Sequence, residues 1–96
     1  MISMKREMLG KDLEVALQIF ETKTKKGEEI YFSKLVKILD GRISRNRISL
    51  ALDRLFDDGI ITGNFQKINK KWARVYTVSG EAEGFIEDIY RLVVKK

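Results

Sequence analysis

The 96-residue chain contains no cysteine, no histidine and no proline. The first two absences remove the commonest zinc ligands, the usual nucleophile–base pairings and any thiol redox role. No catalytic residue, metal or cofactor is therefore expected. A continuous apolar run of about 20 residues, the length needed to cross a bilayer, is also missing. The N-terminal "MISMKREMLGKDLEV" holds no uninterrupted hydrophobic segment of signal-peptide type. The expectation is a soluble cytoplasmic protein, nucleoid-associated, with no membrane partner. Repeats, low-complexity tracts and interdomain linkers are lacking as well. The length fits one domain, able to bury roughly 60 to 65% of its unfolded surface without a metal or disulfide.

What the chain does have is cationic charge, unevenly placed: Lys and Arg number 19 against 14 Asp and Glu. From Ser33 to Ser79 lie ten basic residues (Lys34, Lys37, Arg42, Arg45, Arg47, Arg54, Lys67, Lys70, Lys71, Arg74) and four acidic ones (Asp40, Asp53, Asp57, Asp58), a net of +6. The two ends together carry −1, the remainder of the chain's +5. A basic middle between nearly neutral ends points to a polyanion-binding surface. A Lys- and Glu-rich, cysteine-free composition is also common in thermophile proteins, which is the plainer source of the same bias.

The apolar spacing predicts a domain spanning 1–96: an N-terminal helix (1–22), a helix-turn-helix and hairpin (30–79) and a C-terminal helix (80–96). Leu9, Leu13, Ala16, Leu17 and Phe20 recur at helical intervals between about Lys5 and Thr22. Met8, Val15 and Ile19 form a second stripe, which fits burial against the last helix, a second subunit, or simply a broad core face. "TKTKKGEE" is a charged turn around Gly27, and "IYF" (30–32) has strand character. Ser33 is positioned to cap a two-turn helix bearing Leu35, Val36, Ile38 and Leu39, and Ser44 to cap the next by accepting from Asn46 or Arg47. Two strands then flank a polar tip at Asn69-Lys70. That turn pairs Lys67 with Trp72, Phe65 with Arg74, Gly63 with Tyr76 and Ile61 with Val78, all on one face, with Gly63 leaving room for the Tyr76 ring. Ser79 is the expected cap of the last helix, whose Phe85, Ile86, Ile89 and Val93 share a face.

On helix 44–58, Ile48, Ala51, Leu52 and Leu55 fall in one arc, the buried side. Asn46, Leu50, Asp53 and Asp57 lie opposite, flanked by Arg47 and Arg54 on one side and Arg45 and Ser49 on the other. Basic and amide donors thus occupy the first turns and carboxylates the last, the reverse of what the helix dipole favours by roughly 0.3 to 1 kcal/mol per charge. An anionic ligand at the N-terminal end would supply the missing partner; the alternative is plain solvation of each arginine. Leu50 on the outer face has two readings, packing against the turn or hairpin, or apolar contact with a thymine methyl beside Asn46 and Arg47. Trp72 is either a packing residue of the hairpin or a groove or ligand contact.

From Ile30 onward, "FSKLVKIL", "ISRNRISLALDRLFDDGII" and "ARVYTVSGEA" in that order resemble the winged helix-turn-helix regulators of transcription, especially the small PadR-like and MarR-like types. The resemblance implies an α+β, mainly α fold: a helix-turn-helix, a two- to three-stranded antiparallel wing and a C-terminal helix. It implies that Arg45, Asn46, Arg47, Ser49 and Leu50 face the major groove of double-stranded DNA. Lys67, Asn69, Lys70 and Lys71 would form a wing tip on phosphates or in the minor groove. Lys34, Arg42, Ser44, Arg54 and Arg74 complete the expected DNA-facing set. Such proteins are usually homodimers joined through terminal helices, which would place Met8, Val15, Ile19, Phe85, Ile86, Ile89 and Val93 at the dimer interface. Leu50 stands where the family usually has a polar or basic residue, and Ala82 where many members have glycine. Two other functions suit the same fold: a protein-interaction module anchored by Leu50 and Phe56, and a non-specific architectural DNA binder.

Overall fold

The computed structural model describes residues 10–93. Four helices and one hairpin follow in order: α1 (Lys11–Phe20), α2 (Phe32–Ile38), α3 (Arg45–Asp57), β1 (Ile61–Ile68), β2 (Lys71–Val78) and α4 (Gly80–Val93). The architecture is mainly helical with a two-stranded antiparallel sheet, as the winged helix-turn-helix resemblance implies. Tyr31 adds a single bridge to Val75, and the Tyr76 amide donates to the Ile30 carbonyl at 2.9 Å, so "IYF" supplies only a fragment of a third strand.

Helix α1 occupies the middle of the domain, against α2, α3, α4 and β2. Every residue from Glu14 to Phe20 is buried, because neighbours surround it rather than covering one stripe. The expectation that Val15 and Ile19 face a second subunit is therefore corrected: both are completely buried in the chain's own core. Met8 lies outside the described residues. Beyond Phe20 the chain continues as a π-helical turn, Glu21–Lys25, where Thr22 is buried and accepts from the Gln18 side-chain amide at 3.1 Å. The turn around Gly27 follows, with the glycine at φ +69°.

Ser33 is not the cap of α2. That helix begins two residues earlier than such a cap would place it, at Phe32, and Tyr31, extended and tied to β2, stands in the cap position without a side-chain hydrogen bond. Ser44 does cap α3, accepting from the Arg47 amide at 3.2 Å, a bond of the kind that contributes roughly 1 kcal/mol. At the other end the Gly59 amide donates to the Phe56 carbonyl and the Ile60 amide to the Leu55 carbonyl. This closes the helix in a Schellman motif, which the glycine permits at φ +72°. Ser79 both donates to the Gly59 carbonyl (2.7 Å) and accepts from the Ala82 amide (3.3 Å), locking the start of α4 to the end of α3.

The hairpin has the expected register, Ile61 opposite Val78 through Lys67 opposite Trp72. Its turn residues, Asn69 (φ 51°) and Lys70 (φ 71°), both take the left-handed conformation that two-residue hairpins of matching twist require. Only the base of the expected common face joins the core, through Ile61, Tyr76 and Val78. The space over Gly63 goes to Arg74 and Phe56 rather than to Tyr76: a Cβ there would lie 2.9 Å from Arg74 Nε and 3.0 Å from the Phe56 ring.

In α4, Ile86 is fully buried, with Ile89, Tyr90 and Val93 packed around it. The Tyr90 ring meets Phe20 edge to face at 5.4 Å. The apolar arc of α4 is wider than the core can cover, so Phe85 and Leu92 at its edge remain 60% and 44% exposed. Ile86, expected at a dimer interface, therefore has no surface to offer one; Phe85 does, and Leu92 joins it.

Candidate nucleic-acid interface

Helix α3 divides as its periodicity requires, with Ile48, Ala51, Leu52 and Leu55 buried. Arg45, Asn46, Ser49 and Leu50 form an exposed surface over its first two turns, with Ser44 exposed at the cap. The Arg45 guanidinium carbon lies 5.0 Å from the Phe32 ring centre, a cation–π contact that tethers the side chain beside α2 while leaving it in solvent. Leu50 is 44% exposed. It has not been drawn into the core.

Three other arginines are already engaged. Asp12 of α1 reaches between two turns of α3, pairing one carboxylate oxygen with Arg47 Nη1 at 2.8 Å and the other with Arg54 Nη1 at 3.5 Å. Glu14, also on α1 and almost entirely buried, pairs with Arg42 in the turn between α2 and α3. The inverted charge order along α3 thus has a partial intramolecular answer: carboxylates of α1 neutralise cations that sequence pattern alone leaves unpaired. Arg42 is committed to anchoring the turn, because a buried carboxylate without its partner is costly. Arg47 and Arg54 are less enclosed: their side chains are 30% and 55% exposed, although Arg47 Nη1 and the Asp12 oxygen it meets are out of solvent at the contact itself. Lys34 likewise holds the loop before α2, donating to Glu28 at 3.2 Å and to the Glu29 carbonyl at 3.0 Å.

The wing carries the second group of cations. Lys67, Asn69, Lys70 and Lys71 are all exposed around the tip. Between Ile61 and Ser79 there are four cations and no carboxylate. Arg74 lies across the Phe56 ring, 4.3 Å from its centre, joining the wing to the C-terminal end of α3. Phe56 also meets Tyr76 edge to face at 5.8 Å. Burial raises the Tyr76 hydroxyl above its ordinary pKa of 10.0, with Arg74 opposing and Asp53 adding to the shift. Trp72 is 68% exposed and Phe65 70%. Trp72 is consequently not a packing residue of the wing.

Among the described residues no group of acidic side chains could hold a metal ion, and no helix is long and apolar enough to cross a membrane. The features that sequence reasoning missed are Asp12, Glu14 and Leu92. The first two signal themselves only as acids in an otherwise apolar helical stretch. The third falls at the edge of the apolar stripe of α4 and not at its centre.

No family model and no curated protein matches the sequence. Solved structures with the same architecture include the following two. The circadian clock associated protein Pex from Anabaena superposes with a TM-score of 0.68 at 25% identity, over 88% of this chain and 76% of that one. A PadR family transcription regulator from hypervirulent Clostridium difficile R20291 superposes with a TM-score of 0.62 at 18% identity, over 80% and 86% of the two chains. The fold is a winged helix-turn-helix, similar to that of PadR-like proteins.

Proposed function

We propose that this chain is a DNA-binding regulator of transcription, with the first two turns of α3 in the major groove and the wing on the phosphate backbone or in the minor groove. The observation that carries the reading is the exposed donor surface of Arg45, Asn46 and Ser49 at the capped start of α3, on a fold shared with a PadR family transcription regulator. In that placement Arg45 can pair with guanine and Asn46 with adenine, while Leu50 meets a thymine methyl. Lys67, Lys70 and Lys71 neutralise phosphates without reading sequence. Arg47 and Arg54 join them when phosphate displaces Asp12.

The uncovered edge of α4, Phe85 and Leu92, supports a homodimer joined through that helix. Two recognition helices would then address half-sites about 34 to 36 Å apart. Titration of a fluorescent duplex tests the reading. Asn46→Ala should cost about 1 to 3 kcal/mol on a preferred site and relax one base position, whereas Lys70→Ala should weaken all duplexes alike. If both variants bind as the parent does at low salt, the interface is misplaced.

The exposure of Leu50 favours one second reading, a protein-interaction module using the same helix. Leu50→Arg separates the two: it abolishes capture of a protein partner but leaves or strengthens non-specific DNA affinity.

A further inference from the structure

The outer half of the wing presents two uncovered aromatic rings on one face. Phe65 and Trp72 are the two most exposed large apolar side chains among the described residues, at 70% and 68%. In the antiparallel register Phe65 stands opposite Arg74 and Trp72 opposite Lys67, so the four share a face, with the two rings on one diagonal and the two cations on the other. Neither Phe65 nor Trp72 stacks on another ring or lies under a cation among the described residues. Arg74 turns instead to Phe56, which fixes its guanidinium and leaves the Phe65 ring bare. Diagonal neighbours across such a pair are about 7 to 8 Å apart, within reach of aromatic side chains, so both rings can meet one strand laid across the face.

The surrounding charge selects the occupant. A wing that offers bare rings, four cations along its two strands and turn, and no carboxylate is matched by a polyanion that also carries π faces. Paired bases inside a duplex present edges rather than faces, so the rings have no stacking partner there. We propose that this face of the wing is a binding site for single-stranded DNA, with unpaired bases stacked on Phe65 and Trp72 and the flanking phosphates on Lys67 and on Lys70 at the tip. This activity is separate from duplex reading by α3 and stands or falls without it. Stacking tolerates any base, so the site prefers single strands over duplex without preferring a sequence.

Trp72 is the only tryptophan of the chain, so its fluorescence reports the site directly. Titrating the full chain with oligothymidylate of about 12 nucleotides should quench that emission, less effectively as salt is raised. Phe65→Ala should weaken binding about 5- to 150-fold, and Trp72→Ala, followed by anisotropy of a labelled strand, by a similar factor, while Trp72→Phe retains most of the affinity. Both rings are largely exposed, so these variants keep the fold, which circular dichroism verifies. Failure of the parent to bind the oligonucleotide, binding that leaves Trp72 emission unchanged, or alanine variants within about twofold of the parent would each overturn the proposal. Equal losses on duplex and single strand would overturn it too, assigning the rings to the duplex. Binding to oligothymidylate by a chain that ignores every duplex leaves this site standing and removes the function proposed for α3.

Discussion

Asp12→Asn separates the two jobs of the cations on α3. The carboxylate holds Arg47 at 2.8 Å and Arg54 at 3.5 Å, with the three side chains 31%, 30% and 55% exposed respectively. Part-exposed pairs of this kind contribute about 0.2 to 1 kcal/mol each, the longer contact at the lower end, so the substitution should cost about 1 kcal/mol of stability. In a domain of this size that lowers Tm by about 4 to 8 °C. Binding should move the other way. Removing one negative charge from beside the reading helix frees two guanidinium groups for phosphate. Each phosphate newly neutralised steepens the dependence of log K on log salt by about 0.9, so the limit is about 1.8. Thermal unfolding gives the first quantity and anisotropy titration of one duplex between about 50 and 200 mM salt gives the second. A less stable protein that binds more tightly, with a steeper slope, is the expected result. Affinity that falls along with stability, or an unchanged slope, would refute the idea that Asp12 and DNA compete for the same arginines.

Four further substitutions probe other parts of the molecule. Lys70→Gly relieves a left-handed lysine at φ 71° and should stabilise the hairpin by about 0.5 to 1 kcal/mol in urea unfolding, while making the salt slope of duplex binding shallower by about 0.9. Arg42→Ala strands the buried Glu14 and should cost about 3 kcal/mol, the low end for a buried pair because the arginine side is part-exposed. Arg45→Ala in the same assay should cost less than about 0.5 kcal/mol. Tyr76 supplies a pH dependence of definite sign. Its hydroxyl ionises at higher pH in the folded chain than in the unfolded one, so its contribution to stability is whole below pH 10.0 and is lost as pH rises through the folded value. Tyr76→Phe should therefore flatten the decline in urea midpoint above about pH 10, while leaving the neutral-pH profile unchanged in shape.

How far the sequence could be read follows from the range of the interactions involved. The hairpin was legible to the residue because two local facts determine it: the turn at Asn69-Lys70 sets the register and alternation sets the faces. The buried side of α3 was legible for the same reason, since helical periodicity needs no knowledge of the partner. Helix α1 was not, because a count of apolar stripes cannot say how many neighbours will surround them. Val15 and Ile19 looked like surplus surface and are central core. The charges of the candidate site were the least legible. Arg42, Arg47 and Arg54 are recognisable as cations from sequence, but the carboxylates that engage them sit on a different helix, far away along the chain. The start of α2 shows a milder form of the same effect, as a bridge from Tyr31 to Val75 displaced the cap that Ser33 was placed to supply.

The central claim is that the exposed start of α3 reads duplex DNA. Selection of bound duplexes from a random pool, repeated at two salt concentrations, tests it most directly. The account predicts a recurring motif that survives the higher salt, palindromic with half-sites about 10 base pairs apart, and lost at defined positions when Asn46 is replaced by alanine. A pool that stays random at both concentrations, or a motif indifferent to that substitution, would contradict it.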